Sequence, residues 1–251
     1  MNINYNVSLQ WRVYPEFDQA PIGRVEFWEY QYDYSLPLYC SIDNSHGGSD
    51  PNAVIIAQQD RYGKIIIIDC LQTGIAPTHL AEMLAGRPTI KLWEKEMDFY
   101  ERFKQYKTPL FIADPNDTNS SMDITSIRKI YKKVWIELLT PHLISDKWKR
   151  VKAQIDLVRL NLDRIRVNIP QCDEFISAIQ NATYPQRSDD SQATTDNTVP
   201  VHNWTSHYRT SLEYLVMMIT EWESKSKEKQ KIIKEIPNYI TWQNRRVELT
   251  I

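Results

Sequence analysis

Three strand-like runs in immediate succession, followed by strands that alternate with helices, constrain this chain more than any other feature. Leu38-Tyr39-Cys40-Ser41-Ile42-Asp43, Ala53–Ala57 and Lys64–Cys70 are apolar or alternating runs, separated only by the turn-forming stretches Asn44–Pro51 and Asp60–Gly63. Short turns join antiparallel neighbours, so the three runs predict a meander. After Pro77 the period becomes helical at His79–Ala85 and Lys91–Tyr106, the second carrying Leu92, Met97, Phe99, Tyr100 and Phe103 as an apolar stripe. Pro109–Asp114 then reads as a buried strand, Asp123–Lys133 as helix and Val134–Leu139 as strand. Asp146–Asn161 reads as a long basic helix, Ile165–Asn168 as a short strand, and Cys172–Gln180 and His207–Glu223 as helices. The predicted fold class is α/β, a central mixed β-sheet with three antiparallel strands first, flanked by helices.

Residues 1–36 are rich in aromatics without a clean period and read as an N-terminal arm packing on the sheet, with a strand near Arg24–Tyr30. Residues 37–223 form the expected main domain, and 224–251 a Lys-rich helical continuation and tail that Ile240 and Trp242 pin back. Tyr184–Asn203 is polar and reads as a long surface loop. With 251 residues and 42% hydrophobic content, the chain can build one full-sized core. No apolar run approaches the ~20 residues that span a bilayer, so a membrane-spanning role is excluded. The N-terminus lacks a secretory signal, and Cys40, Cys70 and Cys172 make neither a disulfide framework nor a CxxC pair, which predicts a reduced intracellular setting. The net charge of −2 argues against a wholly basic surface. The basic runs Arg128–Lys133, Lys147–Lys152 and Lys225–Lys234 read first as solvated helix faces and second as phosphate contacts. Trp93, Trp135, Trp148 and Trp222 read as core residues.

The chemistry-bearing pattern is a pair of strands that each end in an acid, Asp43 and Asp114. If the two strand ends share a sheet edge, their carboxylates converge and can hold a hard cation such as Mg²⁺. Metal-assisted phosphodiester cleavage needs such a cluster. The plainer reading is that each Asp simply initiates a turn; Asp50 and Asp117 read as loop residues. His202 and His207 flank Trp204 at the start of the last long helix, where a neutral imidazole can ligate metal or move a proton, or merely be solvated. Thr205 or Ser206 is the expected N-cap. His46, His79 and His142 have no evident partners. There is no GxSxG nucleophile motif, and no GxxxxGK[ST] loop, which excludes an ATPase site of that type.

Four segments in this order resemble the C-terminal nuclease domain of tailed-phage terminase large subunits, the DNA-packaging motor proteins. YCSIDNSHGGSDPNAVIIAQQDRYGKIIIID is similar to the family's first acid strand with its turn and two following strands. FIADPNDTNSSMDITSIRK is similar to the second acid strand and helix, VKAQIDLVRLNLDRIRVNIPQCDEFISAIQNATYP to the helix–strand–helix that follows, and PVHNWTSHYRTSLEYLVMM to the closing helix. The resemblance implies an RNase H-like fold, a carboxylate cluster binding Mg²⁺ or Mn²⁺, and endonucleolytic cutting of concatemeric double-stranded viral DNA.

Carried over by residue, Asp43 matches the first metal acid and Asp114 the second. The third does not match. Where the family helix starts HDWxSHxADAxRY, this chain has Asn203 and Thr210 at the acid positions, so a neutral oxygen or His207 is expected to substitute, His207 being the named third catalytic and metal residue, with Glu213 one turn from Arg209 as a nearby acid. The resemblance also implies partners: double-stranded DNA, a portal protein, a terminase small subunit and an ATPase motor domain, in the host cytoplasm on the procapsid. The neutral residues at the acid positions leave a second expectation, a catalytically weak or inactive module of the same fold that binds DNA or docks on the portal.

Overall fold

The computed structural model describes residues 12–17, 24–44, 50–114, 126–142, 147–185 and 199–235. Seven strands form one sheet: β1 (Glu26–Trp28), β2 (Leu38–Asp43), β3 (Asn52–Gln59), β4 (Ile65–Thr73), β5 (Leu110–Ile112), β6 (Leu138–Leu139) and β7 (Ile165–Asn168), in the spatial order β1-β7-β4-β3-β2-β5-β6. The strands β2, β3 and β4 are the antiparallel meander, while β2–β5, β5–β6, β4–β7 and β1–β7 pair in parallel. Among the described residues six α-helices accompany them: α1 (Pro77–Leu84), α2 (Glu94–Phe103), α3 (Ile127–Lys133), α4 (Lys147–Asn161), α5 (Ile169–Asn181) and α6 (Ser206–Glu235).

The central strands carry long apolar runs because both sheet faces are covered, with Ser41, Asn52 and Asp69 buried among them. Alternate residues of β3 divide between the two sides. Ala53, Ile55 and Ala57 join a core with Val158 of α4, Phe175 of α5 and Leu212 and Leu215 of α6, whereas Val54 and Ile56 join one with Leu80 of α1, Phe99 of α2 and Tyr131 of α3. This parity locates the site. Tyr39 of β2 and Ile112 of β5 belong to the α6 side, so Ser41, Asp43 and Asp114, each an even number of residues further along, share that side.

Most expected elements are present with shifted ends, and the strand expected near Arg24–Tyr30 is β1. It does more than lie on the sheet: it extends it, pairing Glu26–Trp28 with Arg166–Asn168. Val13, Tyr14 and Phe17 are buried in the α6-side core. The expected strand Val134–Leu139 shrinks to Leu138–Leu139. Trp135 closes α3 in the left-handed region at φ 68°, with the Ile136 N–H donating 3.0 Å to the Tyr131 carbonyl, so the first half of that run is a helix terminator. Trp135 is 87% and Trp93 77% exposed, which corrects their assignment to the core: Trp135 ends a helix and Trp93 precedes the start of one. Trp222 is half-buried against Tyr39 as expected, and the side chain of Trp148 lies outside the described residues.

Arg128, Lys129, Lys132 and Lys133 form an exposed face of α3, and the Lys-rich run continues α6 to Glu235. Residues 45–49, 115–125, 186–198 and 236–251 lie outside the described set, and with them His46, Asp117, most of the polar loop, Ile240 and Trp242. Cys40, Cys70 and Cys172 are buried free thiols. Among the described residues no helix is long and apolar enough to cross a membrane.

Candidate metal centre

The site stands at the C-terminal ends of the parallel pair β2 and β5, beneath the start of α6. Ser41 of β2 pairs with Ile112, the last residue of β5, and two positions beyond each, Asp43 and Asp114 lie close enough for their charges to interact. Both expected acids are therefore brought together, as a parallel register demands. Burial raises the Asp43 carboxyl above the ordinary carboxylate range. The hydrogen bond and charge of His207 oppose that rise, and the neighbouring Asp114 adds to it. Two converging oxygen donors suit a hard divalent cation, which offsets the cost of placing two negative charges together.

Helix α6 supplies the third expected residue. His207, one residue into the helix, donates from Nδ1 to Asp43 Oδ2 at 2.9 Å, with side-chain exposures of 8% and 15%. The nitrogen facing the acid pair is thus engaged by Asp43. Its position is set one turn along, where Ser41 and Ser211 bond to each other's backbone and draw the helix onto β2. Tyr214, a further turn along, donates its hydroxyl to Asp114 Oδ2. Burial, then the charges of Asp114 and Asp43, push the Tyr214 phenol well up, so it remains a donor. The spacing 207, 211, 214 places all three on one helix face, a signal visible in the sequence but silent about which strand it meets.

The acid nearest this face serves another purpose. Glu213 is buried, accepting hydrogen bonds from Arg209 Nη1 at 2.7 Å and from the Tyr14 hydroxyl at 2.9 Å. Burial raises its carboxyl, and the Arg209 charge is the main opposing influence. The pair ties residues 12–17 to α6. Asn203 Oδ1 accepts the Thr205 N–H at 3.0 Å and the Thr205 hydroxyl at 2.6 Å, so it forms an Asx turn ahead of α6. Thr205 stands at the N-cap position as expected, its carbonyl accepting the Arg209 N–H, while its own N–H and hydroxyl are held by Asn203 Oδ1.

Asp50 reads from the sequence as a loop residue, but a carboxylate oxygen of it lies with one ring nitrogen each of His202 and His207, ligand atoms all within 4.8 Å of one another. Its neighbours in sequence carry no spacing that points to residues 150 positions away. His79, without an evident partner in the sequence, lies with Nδ1 3.1 Å from Glu82 Oε2 on α1. Far from the centre, buried Asp69 takes a bidentate contact from Arg102 of α2 at 2.8 Å, an ion pair that anchors α2 to β4.

No protein-family model matches the chain, and no curated protein does. Among solved structures, the large terminase of a thermophilic bacteriophage superposes with a TM-score of 0.53 at 14% identity, over 84% of this chain and 45% of that one. The fold is one shared with part of a phage large terminase. Its mixed sheet flanked by helices is RNase H-like, as the resemblance implied. A second crystal form of that terminase gives a TM-score of 0.52 at 15% identity, over 83% of this chain and 44% of that one. The nuclease domain of the bacteriophage SPP1 large terminase, solved with bound Mn, gives 0.48 at 14% identity over 76% of this chain and 94% of that one. The chain spans about 45% of the thermophilic phage terminase's length, and at this identity the likeness is one of fold.

Proposed function

We propose that this terminase-like fold is a metal-dependent endonuclease domain that cuts concatemeric double-stranded DNA during viral genome packaging. One observation supports the reading most: Asp43 and Asp114 leave adjacent parallel strands in register on one face, each held by a residue of α6. Asp43 and Asp114 are the proposed ligands of Mg²⁺ or Mn²⁺. His207 is the third residue of the centre, and acts through Nδ1 by steering the Asp43 carboxylate. Tyr214 does the same for Asp114. A divalent ion held there supplies Lewis acidity toward a phosphodiester and a lowered pKa for its water. The residues' own share is to present two carboxylates in a fixed orientation, so that little reorganisation accompanies reaction.

The proposed partners are the double-stranded DNA substrate, a portal protein, a terminase small subunit and an ATPase motor domain, in the host cytoplasm. The test is plasmid cleavage in Mg²⁺ and Mn²⁺. Cleavage is expected from the wild type and lost, by a factor of at least about 10², in Asp43→Asn and Asp114→Asn. Intact plasmid across both metals with folded wild-type protein sinks the reading.

A second reading has its own observation. Glu213 is consumed by Arg209 and Tyr14, and Asn203 by its turn, so neither position lends a carboxylate to the pair. A module that grips DNA or the portal without cutting fits that arrangement. Thr210 lies on the His207–Tyr214 side of α6. Restored cleavage in Thr210→Asp, from a wild type that binds DNA in a salt-sensitive way but does not cut, favours this reading.

A further inference from the structure

Both histidines at the start of α6 have their Nδ1 atoms committed. Ser206 Oγ gives its single hydrogen to the Asn203 carbonyl at 2.6 Å, and lies 3.0 Å from His202 Nδ1. In that second contact the hydroxyl can only accept, so the imidazole is the donor and carries its proton on Nδ1. His207 Nδ1 faces a carboxylate oxygen of Asp43 at 2.9 Å, and an ionised carboxylate likewise only accepts. In each neutral ring the lone pair is therefore on Nε2. These are the hydrogen bonds that orient metal-ligating histidines, with a carboxylate behind one and a hydroxyl behind the other.

His202 Nε2 is 3.7 Å from Asp50 Oδ2, and the two imidazole rings stand edge to face with centroids 5.5 Å apart. With the proton on Nδ1, the facing His202 nitrogen and Asp50 oxygen are both acceptors, an arrangement relieved by a cation between them. Two tetrahedral ligands about 2.1 Å from an ion stand about 3.4 Å apart. The observed 3.7 Å is close to that separation, and the whole set lies within 4.8 Å. His202 and Asp50 are exposed while His207 is buried, so an ion has an open approach and a fixed floor.

We propose that Asp50, His202 and His207 form a second metal site, taking a borderline divalent ion of the Zn²⁺ or Co²⁺ type through His202 Nε2, His207 Nε2 and one Asp50 oxygen. Imidazole nitrogens select such ions, whereas a hard ion such as Mg²⁺ prefers the all-oxygen Asp43–Asp114 pair. Three protein ligands leave a fourth position, which faces solvent and admits water or a phosphate oxygen. The site shares His207 with the proposed hydrolytic centre, through the Nδ1 bond to Asp43, but takes neither Asp43 nor Asp114 as a ligand, so its occupancy does not require that centre to cut DNA.

The test is metal binding by the full chain, read without any activity. Zn²⁺ affinity is measured by competition with a chromophoric chelator, and Co²⁺ by its visible absorption, whose intensity reports four-coordinate nitrogen–oxygen ligation. The wild type is expected to bind one equivalent. His202→Gln and Asp50→Asn, both at exposed positions, are each expected to weaken binding about tenfold or more, while Asp114→Asn leaves it within about twofold. Circular dichroism establishes that each variant is folded. Equal Zn²⁺ affinity in wild type, His202→Gln and Asp50→Asn overturns the proposal, as does loss confined to Asp114→Asn, which assigns the ion to the acid pair. Failure of the hydrolytic reading appears separately, as intact plasmid in Mg²⁺ and Mn²⁺.

Discussion

Ser41 and Ser211 hold strand β2 and helix α6 together by reciprocal bonds: the Ser41 hydroxyl donates to the Ser211 carbonyl at 2.7 Å, and the Ser211 hydroxyl to the Ser41 carbonyl at 2.9 Å. Both residues are fully buried, and their small side chains allow the backbones to approach. Because His207 lies one helical turn before Ser211, and Asp43 two residues beyond Ser41, this clamp sets the distance between them. Ser211→Val removes one bond and adds bulk to a closed space. It is expected to cost about 2 kcal/mol in urea unfolding. Metal-dependent cleavage should fall further than the folded fraction accounts for, because the His207–Asp43 contact opens.

Tyr214→Phe removes the hydroxyl that anchors Asp114 and leaves the ring packing in place. Mn²⁺ affinity, followed by titration calorimetry, is expected to fall about 10-fold or more, with little change in the far-ultraviolet circular dichroism spectrum. An unchanged affinity shows that Asp114 needs no such anchor.

The Asp69–Arg102 pair predicts a pH dependence of stability. Burial raises the Asp69 carboxyl, while Arg102, the Cys70 N–H and Tyr106 restrain that rise. A carboxyl whose folded pKa lies above its unfolded one stabilises the fold when protonated, and that contribution disappears as pH climbs through the folded pKa. Arg102→Met removes the strongest restraint, so the folded pKa climbs further and the loss at neutral pH deepens. Because the guanidinium is 35% exposed, the expected cost near pH 7 is about 2 kcal/mol, below that of a fully buried pair. The gap between variant and wild type should close toward pH 4. A gap that stays constant with pH contradicts the assignment.

Trp135, 87% exposed, holds a left-handed conformation that favours glycine. Trp135→Gly relieves that strain with little packing lost. Thermal unfolding is expected to show stabilisation of about 1 kcal/mol. Destabilisation instead assigns the exposed ring a packing role.

The order of elements was legible in the residues because periodicity and turn chemistry act locally. The meander, the alternation that follows it, the acids at the ends of two strands and the Lys-rich extension of the last helix all follow from neighbours in sequence. The failures are of a different kind. Val134–Leu139 carries strand-like residues, yet capping of α3 claims its first half, and that outcome depends on what α3 packs against. Trp93 and Trp135 are large and apolar but stand at helix boundaries that face solvent.

The amino-acid sequence by itself determined that Asp43 closes an apolar strand, that Asp114 follows one two residues beyond its end, and that His207 opens a helix. Only the tertiary structure decided that those strands are parallel neighbours in register, that Tyr214 serves Asp114, that Glu213 belongs to Arg209 and Tyr14, and that Asp50 stands with His202 and His207. Hydrophobic periodicity says which face of an element is buried. Which face meets which is set by strand register and by close contacts such as Ser41 with Ser211, between residues 170 positions apart.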